Sequence, residues 1–306
     1  LNYVHKSVMI KEVVSYLINE GDQYFLDCTI GEGGHSESIL TRFPGIKIYG
    51  LDRDNEILNI AGNRLSNFRD RIVLKNINFK NINSINLDNK FFDSALIDLG
   101  ISTYHYKKSQ KGFSFSKKEF LNMMLDNESI DVKEIVNQYS EKDLIEIFFK
   151  YGEERFSKRI VSKIVEYRNK KDIKYSDELA DIIYNAIPKK FHNKKIHPAT
   201  KCFQALRIYA NREFENIKEG LPSVMSVLKK NGRLGVITFH SLEDRIVKNI
   251  FNYLYKDCIC PNEVQICTCG KKREISWVAK CLKPSKDEVD DNPSSRSAKL
   301  RVVQKL

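Results

Sequence analysis

The feature that most constrains this chain is the run Asp27-Cys-Thr-Ile-Gly31-Glu-Gly33-Gly34-His35, followed by a second acid at Asp52. Tyr24 to Asp27 reads as a strand, Gly31 to Gly34 as a tight turn, and Ser36 to Phe43 as a helix. Lys47 to Leu51 is the next strand, ending at Asp52. Glycines let backbone approach a ligand closely, and the helix that follows offers its first N–H groups, which have no partner within the helix. An acid at the tip of the second strand can accept hydrogen bonds from ribose hydroxyls. A glycine pair alone says little. Set in the order strand, turn, helix, strand, acid, it predicts a nucleotide-like cofactor site on a parallel sheet.

The rest of the chain extends that frame. Ile72 to Leu74 and Ser94 to Ile97 read as further strands, the latter ending at Asp98, and the alternation with helices implies βαβ units. From about Ser102 to Thr200 the pattern is helical throughout. Val132, Ile135, Val136 and Tyr139 share one face, and Ser140 with Asp143 reads as a helix cap. Phe156, Ile160, Val161, Ile164 and Val165 form another stripe, and Leu179, Ile182, Ile183, Ala186 and Ile187 one more, stopped at Pro188. A helical run from Thr200 to Leu221 and a strand from Leu234 to Phe239 resume the α/β pattern. The expectation is an α/β sheet with an inserted all-helical domain: residues 1–104, the insertion 105–199, and 200–306.

Lys and Arg number 51 against 40 Asp and Glu, a net charge of +11 over 306 residues. That excess favours a polyanionic partner, RNA or DNA ahead of a membrane surface. No run approaches the roughly 18 apolar residues of a membrane span. The first ten residues lack the basic start and apolar stretch of a secretory signal. Seven cysteines, an odd number in a chain of this size, fit reduced thiols and the cytosol.

The cofactor type is partly legible. A dinucleotide site wants a third glycine at position 36, where this chain has Ser36. Asp27 and Asp98 would face a pyrophosphate badly and a cation well. S-adenosylmethionine, with its sulfonium and ammonium, suits them, and at Gly33 a valine would intrude on its path. Asp98 could otherwise cap a loop.

These residues belong to a longer series: His5-Lys-Ser-Val, Asp27 to His35, Leu51-Asp-Arg-Asp54, Asp98-Leu-Gly-Ile-Ser102, Gly112-Phe-Ser-Phe115, Tyr151-Gly-Glu-Glu-Arg-Phe156, His197-Pro-Ala-Thr200, Phe203-Gln-Ala-Leu-Arg-Ile208, Phe239-His-Ser-Leu-Glu-Asp-Arg-Ile-Val247 and Asn292-Pro-Ser-Ser-Arg-Ser297. The series resembles the bacterial small-subunit rRNA methyltransferase H family, also called the MraW family, along essentially the whole chain. The resemblance implies a class I (Rossmann-like) S-adenosylmethionine methyltransferase sheet with a helical insertion. It implies methylation of N4 of one cytidine in the decoding region of 16S rRNA, hence the small ribosomal subunit as partner, and it leaves a homodimer open. Cofactor contacts would fall on Gly33, Gly34, His35, Asp52, Phe79, Asp98 and His105. This chain departs from the family at Ser102-Thr-Tyr-His105, where Ser-Ser-Pro-Gln is usual, and at Asn122 and Met124, where an acid and an arginine are usual.

Candidates for the chemistry lie at the ends of strands: Asp98, Ser102 and His240. His240 could orient a base or relay a proton, or could simply bond to Glu243 or Asp244. Phe156, Arg159, Tyr167, Arg168, Lys189, Lys190, Lys194 and Lys195 could hold flanking RNA by stacking and phosphate contact, with Phe156 the better candidate for core. Cys258-Ile-Cys260 and Cys267-Thr-Cys269 could hold one zinc, but C-x-C is tighter than the usual C-x₂₋₄-C spacing, so reduced thiols and no metal ligand are the expectation. Two other readings compete. A DNA methyltransferase of the amino type would carry Asp/Asn-Pro-Pro-Tyr/Phe, where this chain has Asp98-Leu-Gly-Ile. A noncatalytic assembly factor would rest on Asn122 and Met124 alone.

Overall fold

The computed structural model describes residues 6–85, 91–193, 196–261 and 266–306. His5, Lys194 and Lys195, named above, lie outside the described residues. Seven strands form one sheet among the described residues: β1 (Tyr24–Asp27), β2 (Lys47–Asp52), β3 (Ile72–Asn76), β4 (Phe92–Asp98), β5 (Leu228–Thr238), β6 (Ile275–Leu282) and β7 (Lys299–Lys305). Their order is β3-β2-β1-β4-β5-β7-β6. The first five run parallel, and β7 lies antiparallel between β5 and β6. Phe25, Leu26, Ile48, Leu51, Leu96 and Ile237 are fully buried. Near-continuous apolar runs of this kind are what strands covered on both faces require.

The chain divides into two units, Leu1–Ile101 with Phe214–Leu306, and Ser102–Glu213. The second boundary is later than the expected 199/200. The helix Thr200–Ala210 buries Cys202, Phe203 and Leu206 and packs against Glu141–Gly152, so it completes the helical unit. The expected run from Thr200 to Leu221 is two helices, Thr200–Ala210 and Glu213–Ser226. Arg212 breaks them with a φ of 49°. The Asn211 side-chain amide caps the break by donating to the carbonyls of Arg207 (2.9 Å) and Met123 (2.8 Å). Arg207 forms a two-pronged pair with Glu213, Nε to Oε1 at 2.9 Å and Nη2 to Oε2 at 3.0 Å.

Within the helical unit the stripes read from sequence are buried faces. Val132, Ile135 and Val136 face inward on the helix Val132–Gln138. Ile160, Val161 and Ile164 do so on Ser157–Arg168, and Leu179, Ile183 and Ala186 on Ser176–Ala186. Ser140 caps as expected, its hydroxyl oxygen accepting from the Asp143 N–H at 3.2 Å. The two departures at Asn122 and Met124 make a turn of their own: Asn122 Oδ1 accepts the Met124 N–H at 2.9 Å, with Met123 between them at a φ of 55°.

Candidate active site

The sheet order reverses between β1 and β4, and in open α/β sheets ligands bind beyond the strand ends at such a point. Asp27 ends β1 and Asp98 ends β4, side by side across that switch. Asp52 ends β2, and the turn after β3 carries Phe79. All the sequence-predicted residues of the sheet unit therefore gather at one edge of it.

Each is placed by a local cause. After β1 the chain turns at Gly33, whose φ of 83° favours glycine, and Gly34 opens the helix Gly34–Arg42. A Cβ on Gly33 would sit 3.0 Å from Leu65 Cδ1 and 3.6 Å from Ala61 Cβ. Its glycine is thus explained by backbone and core packing, whereas the sequence suggested intrusion on a ligand. A Cβ on Gly34 would collide with the Ser7 hydroxyl. Asp52 accepts the Gly31 N–H through Oδ2 and the Asp54 N–H through Oδ1, both at 3.0 Å. The acid at the tip of β2 therefore holds the glycine turn in shape, as well as being the expected ribose acceptor. Phe79 lies so close against the helix Glu213–Ser226 that any Cβ at Gly220 would collide with its ring at Cε2. Nothing in the sequence pointed to Gly220.

The electrostatics are one-sided. Asp27 is 1% exposed and accepts the Ser36 hydroxyl at 2.7 Å. Burial pushes its carboxyl up to about 6, partly opposed by Ser36 and the Thr29 N–H. Asp98 is pushed well above the ordinary carboxylate range, first by burial and then by the negative charges of Asp27 and Glu243. Its Oδ1 is buried with no hydrogen-bond partner among the described residues. His35 donates to Val8 O through Nε2 (2.8 Å), and its Nδ1 stands 3.8 Å from Asp98 Oδ2. Three largely buried acids, with Oδ1 of both Asp27 and Asp98 unsatisfied among the described residues, form a site that repels anions and is short of a cation. The donor set fits the sulfonium and ammonium of S-adenosylmethionine and not a pyrophosphate.

His240 follows β5 and caps the helix Ser241–Tyr255. Its Nδ1 accepts the Glu243 N–H at 3.4 Å, and Glu243 Oε1 accepts the His240 N–H at 2.9 Å, with Oε2 3.0 Å from Nε2. Asp244 binds Arg301 and Lys299, at 2.7 Å from Arg301 Nε and 3.0 Å from Lys299 Nζ. Much of the Phe239 to Val247 motif is therefore a structural clasp, with His240 bonded to Glu243 as one of its two sequence readings had it. Glu243, offered there only as a structural partner, also raises Asp98 as a site acid. In the helical unit His105 is buried, its ring edge-on to Phe113 at 5.4 Å. There too Arg155 lies 4.8 Å over the rings of both Phe156 and Phe191, which are 5.1 Å apart. Phe156 is half-buried in that stack, and Phe191 is exposed between Lys190 and Arg155. Arg168 is partly committed elsewhere, donating to Val136 O at 2.9 Å.

A mixed sheet, parallel through β1 to β5 and acidic at its switch point, fits an S-adenosylmethionine-dependent methyltransferase. The chain belongs to the MraW methylase family, whose model matches residues 2–306. Among curated relatives, the ribosomal RNA small subunit methyltransferase H of Treponema denticola is 46% identical, covering 99% of this chain and 98% of that one. Those of Carboxydothermus hydrogenoformans and a Sulfurihydrogenibium strain are 41% and 43% identical, covering 99% or more of this chain and 99% of each relative. Among the described residues no helix is long and apolar enough to cross a membrane.

Proposed function

We propose that this chain methylates N4 of a cytidine in the decoding region of 16S rRNA, with S-adenosylmethionine as methyl donor. The observation that carries the donor is the buried acid group of Asp27, Asp98 and Glu243 at the β1/β4 switch point. Gly33, Gly34, His35, Asp52, Phe79 and Asp98, all of the sheet unit, would hold the donor; His105 lies in the helical unit. Bound there, it supplies a methyl carbon on a sulfonium, which an exocyclic amine can take by in-line displacement with loss of one proton.

The protein's task is positioning. Cytidine N4 is a weak nucleophile because its lone pair is shared with the ring, so alignment and an acceptor for its N–H groups contribute most. Asp98 is the proposed acceptor: it ends β4 beside the switch point, and its buried Oδ1 accepts no hydrogen bond from the described residues. His240 is the second proposed catalytic residue, and its capping role gives a clean test. Asparagine is a good helix cap, so His240→Asn is expected to keep the melting temperature. If the imidazole acts in the reaction, kcat falls and its pH profile changes. An unaltered profile and kcat would leave His240 a structural cap.

For the RNA, the Arg155, Phe156, Phe191, Lys189 and Lys190 group offers exposed cations interleaved with a stacking ring. Lys189→Ala with Lys190→Ala is expected to leave donor affinity unchanged. It is expected to weaken rRNA binding and lower the salt slope by up to about one unit per lysine. Phe191→Ala is expected to cost about 1–3 kcal/mol without changing the slope. Wild-type affinity and slope in all these variants would move recognition elsewhere. Filter binding across potassium chloride concentrations measures both quantities. The small ribosomal subunit is the proposed partner and the cytoplasm the proposed location. A homodimer is the assembly to be checked by light scattering.

A further inference from the structure

One motif has no part in this chemistry: Cys258-Ile-Cys260 and Cys267-Thr-Cys269, in the connection between the helix Ser241–Tyr255 and β6. That helix starts at the tip of β5 and runs back along the sheet. β6 then begins at the opposite edge, because Ile275 pairs with Lys305 of β7, whose neighbour Gln304 pairs with Arg233 of β5, and Arg233 in turn pairs with Ser94 near the start of β4. The cysteines are therefore at the far end of the sheet from Asp27, Asp52 and Asp98. The Glu274 N–H, donating to Leu254 O at 2.9 Å, and an Arg273–Asp257 ion pair close the base of the connection.

Along the chain, C-x-C is too tight for the usual zinc knuckle. In space the two short arms face one another. Cys258 Sγ lies 3.5 Å from Cys267 Sγ and 3.8 Å from Cys269 Sγ, and Cys267 and Cys269 are 3.5 Å apart. All four sulfurs fall within 4.8 Å of one another. A tetrahedron of thiolates about 2.3 Å from one zinc has edges of about 3.8 Å. A disulfide would need about 2.05 Å, and all four cysteines are free. Backbone donors already point at the sulfurs: Cys260 N–H to Cys258 Sγ at 3.4 Å and Ile259 N–H to Cys269 Sγ at 3.5 Å. Such bonds stabilise metal-bound thiolate. Hydrophobic packing gives no reason for the cluster, since Cys258 and Cys267 are exposed and the other two half-buried.

We propose that Cys258, Cys260, Cys267 and Cys269 bind one zinc ion in a closed, structural site that fastens this connection. Four protein ligands leave no open position, and the distance from the switch point rules the ion out of methyl transfer.

The test uses the full chain purified without chelator or added metal. Elemental analysis is expected to give about one zinc per chain, and Cys258→Ser with Cys267→Ser to reduce it to background. Replacing zinc by cobalt is expected to produce the visible spectrum of a tetrahedral four-thiolate site. Because the double variant could fail to fold, the wild type is also stripped with a chelator. Stripping is expected to lower the melting temperature, and zinc alone to restore it, while S-adenosylmethionine affinity by calorimetry stays the same. Four freely reactive thiols in the native protein with no stoichiometric metal would overturn the proposal. So would stoichiometric iron, or a disulfide found by mapping.

Discussion

Asp98→Asn is expected to weaken S-adenosylmethionine binding by roughly 2–5 kcal/mol, the loss seen when one partner of a buried charge pair is removed. Asparagine keeps the shape of the side chain and removes only the charge. The carboxyl is raised by burial, by Asp27 and by Glu243, so the free protein tends to hold it protonated. A cation binds the ionised form, so binding releases a proton, and affinity rises as pH climbs through the raised pKa. Calorimetry in buffers of different ionisation enthalpy reads that proton directly. In Asp98→Asn the release is expected to vanish together with the affinity. A variant that binds as tightly as wild type, or still releases the proton, would place the cationic contact elsewhere.

Asp27 gives the second large effect, on the stability of the protein without ligand. Its carboxyl moves from 3.8 in the unfolded chain to about 6 in the fold, chiefly by burial. Below the unfolded value both states are protonated and there is no penalty. As pH rises from about 4 to about 6 the unfolded chain ionises first, so stability falls, and above about 6 the deficit is constant. Ionisation displaced by about 2 on the pH scale corresponds to roughly 3 kcal/mol. Asp27→Asn has no such titration and retains an oxygen for the Ser36 hydroxyl. Wild-type stability is therefore expected to fall by about that amount relative to the variant between pH 4 and pH 8, followed by urea unfolding. A difference that does not change with pH would mean that Asp27 titrates normally. The acid is retained at a cost to the empty fold, as an electrostatic site for a cation requires.

The cofactor edge was legible because its residues are short-range consequences of the strands that carry them. A parallel strand covered on both faces must be apolar to its end, so Phe25 and Leu26 before Asp27, and Leu96 and Ile97 before Asp98, mark strand tips in sequence. The glycine turn is equally local. The late domain boundary was not legible: Tyr209-Ala-Asn-Arg-Glu-Phe214 keeps helical composition, and the break rests on one left-handed residue, Arg212, capped by Asn211 across to Met123. β6 and β7 escaped for another reason. Their connection contains the helix Lys286–Asp291 in place of a tight turn, and β6 is only partly buried, so neither a hairpin signal nor a continuous apolar run was present. Gly220 under Phe79 and the four converging cysteines depend on folding together segments far apart or separated by a turn. Spacing alone does not reveal them, and for the cysteines it points the other way.

Nucleoside mass spectrometry of 16S rRNA from cells with and without this protein, with Asp98→Asn expressed as a control, reads the methylation itself. N4-methylcytidine is expected at one decoding-region position when the wild type is present, and is expected to be lost both in cells without the protein and in cells carrying only the variant. The same methylcytidine content in all three, or a lost methyl group on another atom or another RNA, would contradict it.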